Sequence, residues 1–233
     1  MRLCVIPARG GSKRIPRKNI KSFCGQSMIG YSIRAALDSQ CFDQVIVSTD
    51  DTEIAEVAKS FGATVPFVRP DELSNDYAGT LPVIKHAIEW LDNQGQSPSE
   101  VCCLYATAPF VRAGAIKKAY EQMQRTQADY CFTVTSFAFP IQRAIKVTAE
   151  NRIEMFYPKH LETRSQDLEE SYHDAGQFYW GKVEAFKQKQ LLFSKSATPY
   201  ILPRQLVQDI DTLEDWKFAE LMYQVLKKSG DID

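Results

Sequence analysis

Short runs of β-branched, aromatic and sulfur-bearing residues alternate along this chain with stretches in which apolar positions recur every three or four residues. The runs LCVIPA, QVIVSTD, ATVPFV, VCCLYATAP and YCFTVTSF predict strands, and MIGYSIRAALDS, DTEIAEVAKSFG, TLPVIKHAIEWLDNQ and AGAIKKAYEQMQRT predict the helices between them. Strands that alternate with helices build a parallel sheet covered on both faces. Within the second helix Ile54, Val57, Ala58 and Phe61 fall on one side, and Gly62 stands where a left-handed C-terminal cap belongs.

This rhythm stops between residues 137 and 172, where FAFPIQRAIKVTAENRIEMFYPKHLETRSQDLEESY is charged and weakly periodic. The stretch reads as an arm inserted into a single domain that spans 1–233. Regular signals return with GQFYWG as a strand, KVEAFKQK as a short helix, TPYILP as a strand and TLEDWKFAELMYQVLKKS as a closing helix.

Composition narrows the function classes. With 28 basic and 29 acidic residues the net charge is −1, which excludes bulk electrostatic coating of nucleic acid or anionic membrane. No apolar run approaches a membrane span, and MRLCVIPA leads into glycines and charges rather than a cleavage site, so a cytoplasmic protein is expected. The six cysteines form no C-x-x-C pair and mostly lie in strand-like runs, the pattern of reduced, buried thiols. Three scattered histidines make no local metal motif, so a metal here is expected to be held by oxygen.

Against that neutral background one segment stands out. IPARGGSKRIPRKNIK concentrates Arg9, Lys13, Arg14, Arg17, Lys18 and Lys21 around two adjacent glycines at the end of the first strand. Ligands of open parallel sheets bind beyond the carboxyl ends of the strands. There Gly10 and Gly11 permit close backbone approach, Ser12 offers a hydroxyl and the cations neutralise charge, a combination suited to a triphosphate. The spacing is neither G-x-x-x-x-G-K-[ST] nor G-x-G-x-x-G. A solvated basic loop or an RNA-binding patch is the competing reading.

Three further clusters carry candidate chemistry. In QDIDTLEDW, Asp209 and Asp211 lie two apart on an extended segment and point the same way, as a hard divalent cation such as Mg²⁺ requires; the plainer reading is a capping box formed by Thr212 and Asp215. After the strand QVIV, Asp50 is read first as the cap of the following helix, whereas Arg69, at another strand end, is placed on the ligand side. In HDAGQFYWG, His173, Asp174, Gln177 and Tyr179 set polar groups among aromatics, as a sugar site does, with Phe178 and Trp180 on one face and Gln177 and Tyr179 on the other. No nucleophile motif is present, so the chemistry expected is phosphoryl transfer by positioning and charge neutralisation.

Taken together, IPARGGSKRIPRKNI, CFDQVIVSTDDTEIAEVAKSFGA, RPDELSND, YATAPFVRAG and DIDTLED resemble the ordered motifs of the CMP-sialic acid synthetase family over nearly the whole chain. The resemblance implies a Rossmann-like fold of the nucleotide-diphospho-sugar transferase type. It implies that Arg9, Ser12, Lys18 and Asn19 contact CTP along the Gly10–Gly11 loop, with Lys13 and Arg14 near its phosphates and Arg69 holding the nucleotide. It further implies that Asp209 and Asp211 bind Mg²⁺, that Arg9, Lys18 and Asp211 are the catalytic group, and that a sugar hydroxyl attacks the α-phosphate of CTP to release pyrophosphate.

Departures from the family pattern fall in the sugar pocket. Tyr105 replaces the Gln of a Q-P-T-S-P-like segment, and HDAGQFY replaces an R-P-N-G-A-like run while keeping Gly176 and Tyr179. With FPIQRA, these features are similar to the pseudaminate-using branch. They imply a nonulosonic acid as co-substrate, pseudaminic acid first, with N-acetylneuraminic and legionaminic acids as alternatives, and a role in flagellin or surface-glycan decoration. The 137–172 arm is implied to mediate a homodimer, with Arg164 reaching a neighbouring sugar site. A non-catalytic nucleotide-binding regulator is the alternative of another class.

Overall fold

The computed structural model describes residues 1–188 and 191–232. In chain order it contains β1 (Arg2–Pro7), a small hairpin β2 (Ser22–Phe23) and β3 (Gln26–Ser27), α1 (Met28–Asp38), β4 (Gln44–Ser48), α2 (Thr52–Ser60) and α3 (Thr80–Asn93). There follow β5 (Glu100–Leu104), α4 (Ala113–Thr126), β6 (Tyr130–Ser136), the arm hairpin β7 (Ile145–Val147) and β8 (Ile153–Met155), β9 (Tyr172–Lys182), α5 (Val183–Lys187), β10 (Ala197–Ile201) and α6 (Leu213–Ser229). The predicted short helix over 182–189 is α5; its last predicted position lies outside the described residues.

Six strands form one sheet in the order β10-β6-β9-β5-β1-β4. All neighbouring pairs are parallel except those of β9, which runs antiparallel to both β5 and β6. Alternation along each strand divides the core. Cys4, Ile6, Val47, Cys102, Leu104 and Trp180 face α1, α2 and α4, while Leu3, Val5, Ile46, Val101 and Tyr179 face α3 and α5. The five buried cysteines are free and take their places as small apolar residues in this packing.

A third cluster fixes the functional edge. Ile15 and Phe23, beyond the end of β1, pack with Ile210, Trp216 and Tyr223 from the approach to α6 and from α6 itself. Ile210 is 2% exposed, so the carboxylates on either side of it are held beside the loop that follows β1. Among the described residues no helix is long and apolar enough to cross a membrane.

Two local expectations change. ATVPFV is not a strand: Thr64 and Val68 make only isolated bridges to Ile46 and Thr49 beside the edge strand β4, and Pro66 between them has no N–H to continue a ladder. GQFYWG is the second half of an eleven-residue strand. Its pairing with β6 slips, Phe132 facing Tyr179 and Val134 facing Asp174, across a bulge in which Gly176 has φ +60°.

Candidate active site

The carboxyl ends of β1 and β5 open onto a cavity of about 710 Å³ lined by Arg9, Ser12, Lys13, Arg14, Lys18, Asn19, Arg69, Asp76, Thr80 and Tyr105, among others. Eight of the residues named in advance therefore meet on one wall. Each is placed by a local device. Asn19 is buried and donates from Nδ2 to the Arg9 carbonyl at 2.9 Å, bracing the loop from within. Ser12 N–H donates to the Gly10 carbonyl at 2.9 Å, closing a tight turn.

The glycines themselves are not on the cavity wall. A Cβ on Gly10 would lie 2.7 Å from Asp51 Oδ2, whereas one on Gly11 would meet nothing within 4 Å. Gly10 thus serves the packing of the loop against the N-terminus of α2, where Asp51 accepts the Ile54 N–H at 2.9 Å. The helix cap is Asp51 and not Asp50. The Asp50 carboxylate instead accepts the Gly10 N–H at 3.0 Å and lies 3.6 Å from Arg69 Nη2. Arg17, whose φ is +58°, belongs to this same scaffold: it binds Asp51 and Glu53 and does not line the cavity. That pairing holds the Asp51 carboxyl below its ordinary value.

Arg69 is 4% exposed, and among the described residues its Nε and Nη2 have no hydrogen-bond partner. Burial pulls its pKa below the usual arginine value, with Asp50 partly offsetting this. A buried guanidinium with unmatched donors on a cavity wall is a site prepared for an acceptor-rich ligand.

The mouth of the cavity is closed by charge. Arg9 donates from Nη1 to the Asn75 carbonyl at 2.7 Å and pairs through Nη2 with Asp76 at 2.9 Å; Lys13 pairs with the other Asp76 oxygen at 2.5 Å. These contacts pull down the Asp76 carboxyl, the Lys13 hydrogen bond most. Asp76 is the functional-edge residue that sequence reasoning passed over, although RPDELSND contains it.

On the opposite rim Lys18 donates to the Ile210 carbonyl at 2.7 Å and lies 3.4 Å from Asp211 Oδ1, while Arg14 pairs with Asp211 Oδ2 at 2.7 Å. The capping box is also present: Thr212 Oγ1 accepts the Asp215 N–H, and Asp215 accepts the Thr212 and Asp211 N–H groups. It uses the Asp211 backbone and leaves its carboxylate for the rim. Partial desolvation, then the neighbouring Asp211 charge, raises the Asp209 carboxyl above its ordinary value. Two adjacent carboxylates whose repulsion a cation would relieve suit a hard divalent ion. No third His, Cys, Asp or Glu joins them among the described residues, which leaves the remaining positions of such an ion to ligand oxygens and water.

The residues named for the sugar divide. Tyr105 is on the cavity wall, its hydroxyl 3.3 Å from Thr80 Oγ1. Tyr179 lies behind it, 5% exposed, with its hydroxyl donating to Asp174 at 2.6 Å. Gln177 does not share their pocket. Its Nε2 donates to the Leu206 carbonyl at 2.6 Å, and it lines a second cavity of about 980 Å³ on the side of α4 and α6. His173 is exposed against Phe137, and Arg164 pairs within the arm with Asp167, so neither reaches the first cavity within one chain.

Comparison with known proteins agrees with this geometry. The family model described as Cytidylyltransferase matches residues 3–214. The chain is 49% identical over 228 residues to pseudaminic acid cytidylyltransferase of Campylobacter jejuni subsp. jejuni serotype O:2, covering 98% of each. It is 30% identical over 222 residues to post-translational flagellin modification protein B of Campylobacter coli, covering 94% of each. In fold it is similar to CMP:2-keto-3-deoxy-manno-octonic acid synthetase complexed with CTP, with a TM-score of 0.70 at 17% identity, covering 97% of this chain and 99% of that one. A central, mostly parallel sheet whose strand ends carry a cationic cavity, matched along almost its whole length by these relatives, places the chain in the cytidylyltransferase family.

Proposed function

We propose that the protein couples CTP to pseudaminic acid, giving CMP-pseudaminic acid and pyrophosphate. The observation that carries this reading is the cationic wall of Arg9, Lys13, Arg14, Lys18 and Arg69 at the strand ends, with a carboxylate pair on its rim, in a chain 49% identical to a pseudaminic acid cytidylyltransferase. A triphosphate brings oxygen acceptors and negative charge to a wall on which five cationic side chains gather.

In this reading Arg69 and Asn19 hold the nucleotide near the cavity floor, while Arg9, Ser12, Lys13 and Arg14 take the phosphates, displacing Asp76 from its two cations. The sugar hydroxyl gives up its proton to water as its oxygen forms a bond to the α-phosphorus of CTP; the bond from that phosphorus to the bridging oxygen of the β-phosphate breaks, and the electron pair leaves with pyrophosphate. Lys18, fixed by the Ile210 carbonyl, stands where it neutralises that developing charge. Asp209 and Asp211 would hold Mg²⁺, which when bound supplies charge stabilisation for the departing phosphates. Asp211 also anchors Lys18 and Arg14, so one carboxylate orders both cations of the rim.

The arm supports assembly with a second copy. Phe139, Val147, Ile153, Phe156 and Leu161 are each more than half exposed, an apolar surface that a solitary chain leaves in water. The protein is accordingly a homodimer in this reading, with Arg164 directed to the partner. The setting in this reading is glycosylation of flagellin; the name of the Campylobacter coli relative speaks, for that protein, of post-translational flagellin modification.

Pyrophosphate release tests the reading, using CTP and Mg²⁺ with pseudaminic, legionaminic, N-acetylneuraminic and Kdo acids and with ATP, GTP and UTP as controls. Release confined to CTP and pseudaminate is expected. Release with another acid would reassign the sugar, and a CTP-induced thermal shift without release for any acid would turn the reading towards a nucleotide-binding regulator.

A further inference from the structure

The closing helix α6 has two faces of different kinds. Trp216, Ala219, Tyr223 and Leu226 are buried with Ile15, Phe23, Phe110 and Ile210. Phe218, Leu221 and Val225 fall on the opposite side of the helix and are each more than half exposed. Their spacing of three and then four residues makes a narrow apolar seam, the pattern with which one helix packs along another. The same spacing reaches Glu214 in the first turn and Lys228 in the last. Both are exposed, and neither is in an ion pair among the described residues.

This order is complementary to itself in one direction only. Glu214 and Lys228 each stand seven residues from Leu221. Two α6 helices laid antiparallel, with Leu221 against the partner's Leu221 on a two-fold axis, bring Phe218 beside the partner's Val225 and Glu214 beside the partner's Lys228, twice over. Lys217, beside the seam, comes opposite the partner's Gln224, so like charges do not meet. Parallel helices would set Glu214 on Glu214 and Lys228 on Lys228, and would align the two helix dipoles in the same direction.

We infer that the outer seam of α6 is an interface for a second copy of this chain, the two helices antiparallel about Leu221, and that it is separate from the contact made by the arm. The size of the seam sets its strength. Three apolar side chains with a charged residue at either end cover roughly half of the about 800 Å² per partner of a standard stable interface. Alone the contact is weak; it serves to join units that another contact has already assembled. Given the arm dimer proposed above, two such dimers meet through α6, and two kinds of two-fold contact on one chain close into a tetramer.

Sedimentation velocity of the full chain, over about a hundredfold range of micromolar concentration, tests the inference. The wild type is expected to form a concentration-dependent species of twice the mass of the largest species given by Leu221→Asp, which places two carboxylates on the axis. Glu214→Lys sets a cation against the partner's Lys228, and Lys228→Glu sets an anion against the partner's Glu214. Each should weaken the doubling about tenfold, because two attractive pairs become two repulsive ones. Glu214→Lys combined with Lys228→Glu exchanges the signs and should return the association to within about threefold of the wild type, whereas independent losses would add.

Equal masses for wild type and Leu221→Asp at every concentration would overturn the inference. A combined charge exchange no stronger than the single variants would overturn the antiparallel pairing. If Leu221→Asp does not fold, the charge exchange alone decides. Val147→Asp, in the arm, separates the two contacts, and combined with Leu221→Asp it should leave a monomer. A monomer from each of these changes alone would mean that the partner's arm covers the seam, which defeats the proposal. A monomer from Leu221→Asp with Val147→Asp still assembling would instead defeat the arm dimer and leave the α6 contact standing.

Discussion

Replacing Arg69 with Met should separate stability from ligand binding. The guanidinium is 4% exposed, its Nε and Nη2 are unmatched, and its ion pair with Asp50 is long at 3.6 Å. Each unmatched buried donor costs the ligand-free protein about 1–3 kcal/mol. Loss of the ion pair works the other way, but Asp50 keeps the Gly10 N–H as a donor and is partly open to water. Removing one partner of a buried pair is strongly destabilising only where the charge left behind is uncompensated, which that of Asp50 is not, so Arg69→Met should unfold within about 1 kcal/mol of the wild type or above it.

For CTP the sign reverses. The two donors lost in the variant correspond to two charge-assisted hydrogen bonds to CTP of about 1.5–3 kcal/mol each, a total of about 3–6 kcal/mol. Kd for CTP should therefore rise roughly 10²- to 10⁴-fold. Urea denaturation gives the first quantity, and calorimetry with CTP in the absence of metal ion gives the second. A Kd within threefold of the wild type, or a loss of more than about 2 kcal/mol in unfolding free energy, would refute the reasoning.

Other perturbations follow from the same contacts. Asp76→Asn releases Arg9 and Lys13 from an internal counter-charge, so CTP should bind more tightly than to the wild type, with the difference shrinking in high salt; calorimetry at two ionic strengths checks both. Asp211→Asn should lower turnover far more than CTP affinity, because the charge it organises matters most as pyrophosphate departs, and equal losses in single-turnover and binding measurements would contradict this. Gly10→Ala forces a Cβ against Asp51 and should cost about 1–3 kcal/mol, whereas Gly11→Ala should be near neutral by thermal denaturation. The Asp51 carboxyl lies below its unfolded value of 3.8 because of Arg17, so the stability it contributes is complete above that pH and is lost as pH falls through the folded value. The difference between wild type and Asp51→Asn in urea should accordingly be flat near neutrality and shrink in acid.

What was legible in the sequence was what local periodicity encodes. Ile54, Val57, Ala58, Phe61 and Gly62 announced α2 and its end, and the helix, its packing side and the left-handed glycine are where the pattern put them. The gathering of charge beyond β1 was legible because strand ends in such sheets lie on one edge. Strand direction was not: alternation in GQFYWG is the same whether β9 runs parallel or antiparallel to its neighbours. Nor were pairings across long stretches of chain. Nothing near Arg17 marks it for Asp51 and Glu53 rather than a phosphate, and nothing near Gly10 shows that its missing side chain makes room for Asp51. Gln177 left its predicted company because the bulge at Gly176 interrupts the strand and its amide finds the Leu206 carbonyl.

The most direct measurement is the mass of the nucleotide product formed from CTP, Mg²⁺ and pseudaminic acid. The account predicts a CMP-pseudaminic acid conjugate accompanied by one equivalent of pyrophosphate, formed by the wild type and almost absent with Asp211→Asn. Free CMP in place of the conjugate, or unchanged CTP from a protein that binds it, would contradict the claim that this cavity joins a sugar acid to the α-phosphate.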